Sequence, residues 1–100
     1  MKFLETYKAE IIRLCQQYNV KSLYAFGSVL TNHFNKESDV DLMVNFNNIK
    51  LEDYADNYFD FKFALQDTLE RSIDLLEENA IRNPFFKQNF DKQKRLVYGC

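Results

Sequence analysis

The sequence contains few of the residues that build disulfide-linked or zinc-centred folds. It holds one histidine, two cysteines, two glycines, one proline and no tryptophan in 100 residues. The lone His33 has no partner at zinc-ligand spacing. Cys15 lies inside an apolar helical pattern and Cys100 is the last residue, so the pair does not form a disulfide framework. These absences exclude a disulfide scaffold and a zinc finger, and they favour a cytoplasmic protein.

Long apolar runs and an excess of one charge are also missing. No run reaches the length of a transmembrane helix, and residues 1–12 mix charges among apolar side chains, unlike a secretory signal. The formal net charge is −2. The lysine and arginine excess of a DNA-coating or membrane-surface protein is therefore absent. We expect no membrane association and no stable DNA binding.

The residues that are abundant predict an ordered core. Apolar residues make up 46% of the chain and aromatic residues 16%, which excludes a disordered tail. A length of 100 residues fits one compact domain, and no repeat, linker or low-complexity stretch divides it. We therefore expect a single domain over residues 1–100.

Apolar periodicity predicts alternating helices and strands. Residues 59–63 (FDFKF) alternate as a strand would, but the wider apolar stripe and the acidic first turn Glu52-Asp53 favour a helix there. The order is α-β-α-β-α-β-α, with strands at 22–26, 38–46 and 72–77 and helices at 3–18, from Ser28, at 51–69 and at 83–97. This order predicts an α/β (α+β) fold, in which one small sheet has helices packed on at least one face.

Two predicted strands carry three aspartates, each at a position that alternates with apolar residues. Asp39 and Asp41 point to one face of their strand, while Val40 and Leu42 point to the other. Neighbouring carboxylates repel unless a cation lies between them, and their oxygens suit Mg²⁺. If the strand that carries Asp74 pairs beside this one, the three carboxylates can hold two metal ions for in-line displacement at phosphorus.

Gly27 and Ser28 end a predicted strand and open a predicted helix. A glycine lets the backbone approach a ligand closely, and the free N–H groups at a helix start favour an anion. Ser28 adds a hydroxyl donor. We therefore predict that this turn binds the β and γ phosphates of a nucleotide whose α phosphate lies over the metal ions.

The spacing of these motifs resembles a known superfamily. "GS", ten residues, "DVD" and a later "ID" on a strand resemble the DNA polymerase β-like nucleotidyltransferases. The small size and "SDVDLMV" resemble its minimal nucleotidyltransferase (MNT) branch over residues 22–77. The resemblance implies the nucleotidyltransferase fold, with a small mixed sheet of three to four strands and helices packed on one face. It also implies triphosphate binding by Gly27 and Ser28, metal binding by Asp39 and Asp41, and Asp74 as the third carboxylate, near the attacking hydroxyl.

The same resemblance implies an activity and a partner. MNT proteins of this size commonly act as antitoxins of a helical HEPN-type ribonuclease toxin, and some transfer AMP to a tyrosine of that toxin. The expected function is thus a nucleotidyltransferase enzyme that uses Mg²⁺, with two ions expected. It would move a nucleotide, AMP from ATP, to a hydroxyl of a HEPN-type partner.

Two other functions stay open. Many MNT members follow "GS" with an arginine-rich stretch, whereas this chain has Val29-Leu30-Thr31-Asn32, with Lys36 as the nearest substitute. This difference favours a non-catalytic antitoxin that masks its toxin. Other branches act on a small molecule or an RNA end, but they usually carry a second domain.

The aromatic residues of the 54–63 segment leave the oligomeric state open. We expect the aromatic residues Tyr54, Tyr58, Phe59, Phe61 and Phe63 to lie mostly in the core. Because one helix cannot bury all of them, Tyr58 and Phe63 or their neighbours, and also the Phe85-Phe86 pair, are candidates for a partner or homo-oligomer surface.

Overall fold

The fold is a four-stranded sheet with helices on one of its faces. The computed structural model describes residues 2–27, 38–78 and 94–99. The helices are α1 (Lys2–Thr6), α2 (Lys8–Gln17) and α3 (Leu51–Leu69), and the strands are β1 (Val20–Phe26), β2 (Val40–Phe46), β3 (Ile73–Glu77) and β4 (Arg95–Gly99). The predicted α/β (α+β) architecture, a small mixed sheet with helices packed on one face, is confirmed.

The strand order explains the mixed character of the sheet. The order is β3-β2-β1-β4. The β1–β2 and β1–β4 pairs are antiparallel, whereas β2 and β3 run parallel. A parallel pair needs a long crossover connection, and α3 provides it. The sheet therefore has one parallel pair at one end, and that pair carries the predicted aspartates.

Apolar residues on one face of the sheet form the core with the helices. The apolar residues of neighbouring strands lie directly opposite one another: Leu42 of β2 pairs with Ala25 of β1 and with Leu75 of β3. The buried core joins this face to residues of α1, α2 and α3. Cys15 of α2 is fully buried, and burial raises the pKa of its thiol to about 12, so it is a small core residue and not a nucleophile.

Helix α3 settles the ambiguous 59–63 segment. The buried residues Phe61, Leu65 and Leu69 recur every four positions, and Phe59 and Phe63 are exposed. In a strand, all three phenylalanines would point to one face. The strand alternative for FDFKF is therefore wrong, and the predicted helix over 51–69 is confirmed.

The first predicted helix, 3–18, is divided into two. The backbone N–H of Tyr7 donates to the carbonyl of Leu4 at 3.2 Å, a three-residue spacing that tightens the chain between α1 and α2. The rings of Phe3 and Tyr7 meet edge to face, with centroids 5.3 Å apart. This contact is consistent with the local tightening.

The prediction of a helix over 83–97 is wrong at its end. Residues 95–97 belong to strand β4, which pairs with β1 through Leu23 and Tyr98. The run Leu96-Val97-Tyr98 has high strand propensity, and the free side of β1 supplies its hydrogen-bonding partner. Residues 83–93 and the short helix predicted from Ser28 lie outside the described residues.

The helices that are described do not resemble membrane spans. Among residues 2–27, 38–78 and 94–99, no helix has both the length and the apolar content needed to cross a bilayer.

Two phenylalanines of α3 offer a test of the packing. Phe61→Ala should lower the free energy of unfolding by about 3–5 kcal/mol, because it leaves a cavity in a filled core. Phe59→Ala, on the exposed side of the same helix, should change it by less than about 1 kcal/mol. Urea denaturation of both variants measures the difference. Equal losses would contradict the orientation of α3.

Candidate active site

The register of the parallel strands sets two aspartates side by side. Asp41 of β2 lies directly opposite Asp74 of β3. Residues directly opposite each other on paired strands point to the same face of the sheet. The flanking pairs Val40–Ile73 and Leu42–Leu75 point to the buried face. The adjacent pairing that the sequence left conditional is therefore observed.

Asp39 extends this pair toward the start of β2. It precedes the strand and is exposed, as Asp74 is, while Asp41 is partly buried. The backbone N–H of Val40 donates to the carbonyl of Ser72 at 2.9 Å. This bond ties together the two chain segments from which the aspartates project.

The charges of Asp74 and Asp39 act on the carboxyl group of Asp41. The pKa of Asp41 is raised above its ordinary value, first by partial burial and then by the negative charges of Asp74 and Asp39. Both causes disfavour the charged form of a carboxyl group. Nearby positive charge would reverse the effect, so the cluster favours a cation.

Gly27 lies against the same cluster. Its φ is +75°, and a Cβ atom added there would collide with Oδ2 of Asp41. Only glycine combines this backbone conformation with the absence of a side chain. Gly27 is thus next to the carboxylate of Asp41. Ser28, the segment Val29–Asn32 and Lys36 lie outside the described residues, so phosphate binding by this turn stays a prediction.

Two tyrosines of α3 support the site, and the sequence analysis treated them only as core or surface residues. The hydroxyl of Tyr58 donates to the backbone carbonyl of Leu75, the residue after Asp74. Burial, followed by the charges of Glu77 and Asp74, raises the pKa of Tyr58. A tyrosine on an otherwise buried helical stripe needs a partner for its hydroxyl. That rule could have identified Tyr58 as a residue that fixes β3.

Tyr54 makes a similar link one helical turn earlier. Its pKa is raised by burial first, and then by a hydrogen bond with the side chain of Glu77 and by the charge of that group. The ring packs edge to face on Phe46, with centroids 5.7 Å apart. Tyr54 therefore fastens the C-terminal end of β3 to α3, and Tyr58 fastens the middle of that strand.

The carboxylate oxygens of Asp39, Asp41 and Asp74 are of the type that binds a hard divalent cation. Asp39 and Asp74 both lie within electrostatic range of Asp41, and carboxylate oxygens are the preferred ligands of Mg²⁺. Among the described residues, however, no three carboxylate, imidazole or thiolate side chains converge as a metal-ligating group. Metal binding by Asp39, Asp41 and Asp74 therefore stays a prediction that rests on donor chemistry and strand register.

Comparison with known sequences identifies the family. Residues 9–99 match the family model "Polymerase beta, Nucleotidyltransferase". "Putative protein adenylyltransferase MJ0128" of Methanocaldococcus jannaschii is 34% identical over 85 residues, which cover 85% of this chain and 82% of that protein. "Putative protein adenylyltransferase MJ0126" of the same organism is 33% identical over 98% of this chain and 99% of its own length.

Comparison with solved structures agrees in the fold. A "putative minimal nucleotidyltransferase" has a TM-score of 0.78 at 21% identity, over 94% of this chain and 92% of that one. A toxin–antitoxin complex with AMP-PNP has a TM-score of 0.71 at 19% identity, over 93% of this chain and 73% of that one.

A third structure contains a modified toxin. It is the tri-AMPylated Shewanella oneidensis HEPN toxin in complex with MNT antitoxin, with a TM-score of 0.66 at 18% identity, over 97% of this chain and 73% of that one. The family match over residues 9–99 and the near full-length relatives agree with the resemblance drawn from "GS", "DVD" and "ID". This chain belongs to the polymerase β nucleotidyltransferase family.

Proposed function

We propose that this chain is a Mg²⁺-dependent protein adenylyltransferase that acts as an antitoxin. It transfers AMP from ATP to a tyrosine hydroxyl of a HEPN-type toxin. The observation that carries the proposal is the in-register pairing of Asp41 with Asp74, with the bare backbone of Gly27 against Asp41.

The comparisons support the choice of nucleotide and acceptor. The relatives at 33–34% identity are named as putative protein adenylyltransferases. Two solved structures contain a chain with the same fold. One is a toxin–antitoxin complex with AMP-PNP, and the other is an AMPylated HEPN toxin in complex with an MNT antitoxin. These descriptions favour adenylyl transfer to a protein over transfer to a small molecule or an RNA end.

The proposed roles of the site residues follow from their positions. Asp39, Asp41 and Asp74 would hold Mg²⁺, which, when bound, supplies positive charge against the triphosphate and the charge that develops at phosphorus. Because Gly27 has no side chain, the carboxylate of Asp41 can lie directly against its backbone; the turn that begins at Gly27 would bind the phosphates. Partial burial of Asp41 strengthens these electrostatic interactions, because the local dielectric is lower than in water.

The reaction exchanges one phosphorus–oxygen bond for another. The tyrosine oxygen attacks the α phosphorus, and the bond from that phosphorus to the pyrophosphate oxygen breaks. The attacking hydroxyl must lose its proton, and the carboxylate of Asp74 accepts it. Asp74 is exposed, so a hydroxyl on a separate protein can reach it. Proton transfer to a positioned carboxylate is ordinary general base catalysis.

Masking of the toxin without chemistry is the second candidate. It is favoured by the exposed Phe59 and Phe63 of α3, which suit a protein contact, and by the absence of arginine in Val29–Asn32. In this alternative the aspartates do not contribute to neutralisation.

The intact mass of the toxin decides between the two candidates. The toxin should gain the mass of one or more AMP groups when it is co-expressed with the wild-type chain. It should gain none when co-expressed with the Asp39→Asn/Asp41→Asn variant. An unmodified toxin that forms a stable complex with both chains would contradict the proposal and establish masking.

We expect the charge of Asp41 to raise the rate of AMP transfer and to lower the free energy of unfolding. Asp41→Asn should lower the transfer rate by about two to three orders of magnitude, as the loss of one preorganised electrostatic group does. It should also raise the free energy of unfolding at neutral pH, because the raised pKa of Asp41 means that its charged form opposes folding.

The sign of the pH dependence is fixed by that raised pKa. The Asp41→Asn variant should become more stable than wild type as the pH rises above 3.8, the ordinary pKa of an aspartate. Below this pH the difference should disappear, because Asp41 of the wild type is then protonated in both the folded and the unfolded state. Urea denaturation on both sides of this pH measures the change. A variant that is less stable than wild type at neutral pH would contradict the electrostatic description.

The two glycines provide a matched pair of variants. Both have positive φ, and an added Cβ would collide with Asp41 at Gly27 and with the carbonyl oxygen of Lys21 at Gly99. Gly27→Ala and Gly99→Ala should each lower stability by about 1 kcal/mol or more. Only Gly27→Ala should also lower the transfer rate per folded molecule, measured by AMP incorporation. Equal rates per folded molecule would argue against a role for Gly27 in the site.

A further inference from the structure

The outer side of α3 carries a continuous row of exposed apolar side chains. Leu51, Ala55, Phe59 and Phe63 recur every four residues, and all four are exposed. The exposed fraction is 93% for Leu51, 48% for Phe59 and 53% for Phe63. The two phenylalanine rings stack, with centroids 6.1 Å apart. We name these four residues the apolar ridge.

An acidic row runs beside the apolar ridge. Glu52, Asp56 and Asp60 are exposed and also recur every four residues. Like charges at this spacing destabilise a helix by about 0.2–0.5 kcal/mol per pair. Among the described residues, none forms an ion pair with these three carboxylates. Glu52 is favoured by its place in the first turn of α3, but the repulsion between Asp56 and Asp60 has no compensating ion pair inside the described fold.

The shape and charge of this face select one class of partner. Rows of side chains four residues apart are the ridges that pack into the grooves of another helix. The apolar ridge spans twelve residue steps, or about 18 Å along the helix. A second copy of the same face would bring two acidic rows together, and a nucleic acid would be repelled by them. A helical protein with an apolar groove bordered by lysine and arginine fits both rows.

We propose that the apolar ridge and the acidic row form the surface that docks the HEPN-type toxin. The inference rests on the proposed function, because it names the surface that holds the acceptor protein. The carboxylates of Asp41 and Asp74 point to the sheet face opposite the one on which α3 packs. Docking on α3 therefore leaves the carboxylate face accessible to nucleotide and to the acceptor hydroxyl.

This separation predicts a specific kinetic effect. A variant of the docking surface should weaken binding of the toxin and raise its KM, but kcat at saturating toxin should stay unchanged. A variant of the carboxylates should have the opposite effect, with a lower kcat and unaltered binding. The two surfaces can thus be tested independently in the same chain.

The first experiment measures the dissociation constant of the complex between this chain and a purified HEPN-type toxin. Phe59→Ala/Phe63→Ala should raise the dissociation constant by about tenfold or more, as the loss of two central interface aromatics does. Leu96→Ala is the matched control, because Leu96 is 47% exposed on β4 and lies away from α3. It should leave the dissociation constant unchanged. Urea denaturation confirms that each variant is folded.

The second experiment tests the charge of the partner. Binding by wild type should weaken as salt is added, because the paired charges are screened. Asp56→Asn/Asp60→Asn should bind more weakly at low salt and show a flatter salt dependence, whereas Glu10→Gln on α2 should behave as wild type. A salt dependence that is identical in the double variant and in wild type would contradict a basic partner surface.

The outcomes separate this inference from the proposed function. Loss of the complex in the phenylalanine variant, with no AMP transfer even by wild type, would support the docking surface and contradict the enzymatic function. AMP transfer and binding that are both unchanged in that variant would support the enzyme and overturn the docking surface. Absence of any complex between the wild-type chain and the HEPN-type protein would also overturn it.

Discussion

The pairing of β2 with β3 is the constraint on which the site depends. It sets Asp41 opposite Asp74, although the two charges repel. A slip of one residue would turn every side chain of β3 to the other face, burying Asp74 and exposing Ile73 and Leu75. Burial of those two residues against Val40 and Leu42 therefore holds the register. The apolar core keeps together charges that would otherwise move apart.

Helix α3 connects this register to the rest of the molecule. Its inner side buries Phe61, Leu65 and Leu69 and makes the crossover that a parallel pair requires. The hydroxyl of Tyr58 adds a hydrogen bond to the carbonyl of Leu75, beside Asp74. The outer side carries exposed aromatics and carboxylates. One helix thus links the stability of the site to a surface suited to a partner protein.

The sequence was sufficient for features that arise from local periodicity. The alternation in Asp39–Leu42 and Ile73–Leu75 indicated the acidic face, and the apolar stripe of residues 51–69 indicated that this segment is a helix. Features that depend on distant partners were not predictable. Strand β4 forms against the free side of β1, the hydroxyl of Tyr58 meets an edge carbonyl, and the Cα of Gly27 meets Asp41 only after the sheet has assembled.

The most direct test of the site is paramagnetic NMR with Mn²⁺ as a stand-in for Mg²⁺. Mn²⁺ is titrated into the isotope-labelled chain, and broadening of each backbone signal is measured. We predict selective broadening at Gly27, Asp39, Asp41 and Asp74, its reversal by excess Mg²⁺, and its loss in Asp39→Asn/Asp41→Asn. Broadening that is absent, or that centres on the exposed carboxylates of α3, would contradict a metal site on the paired strands.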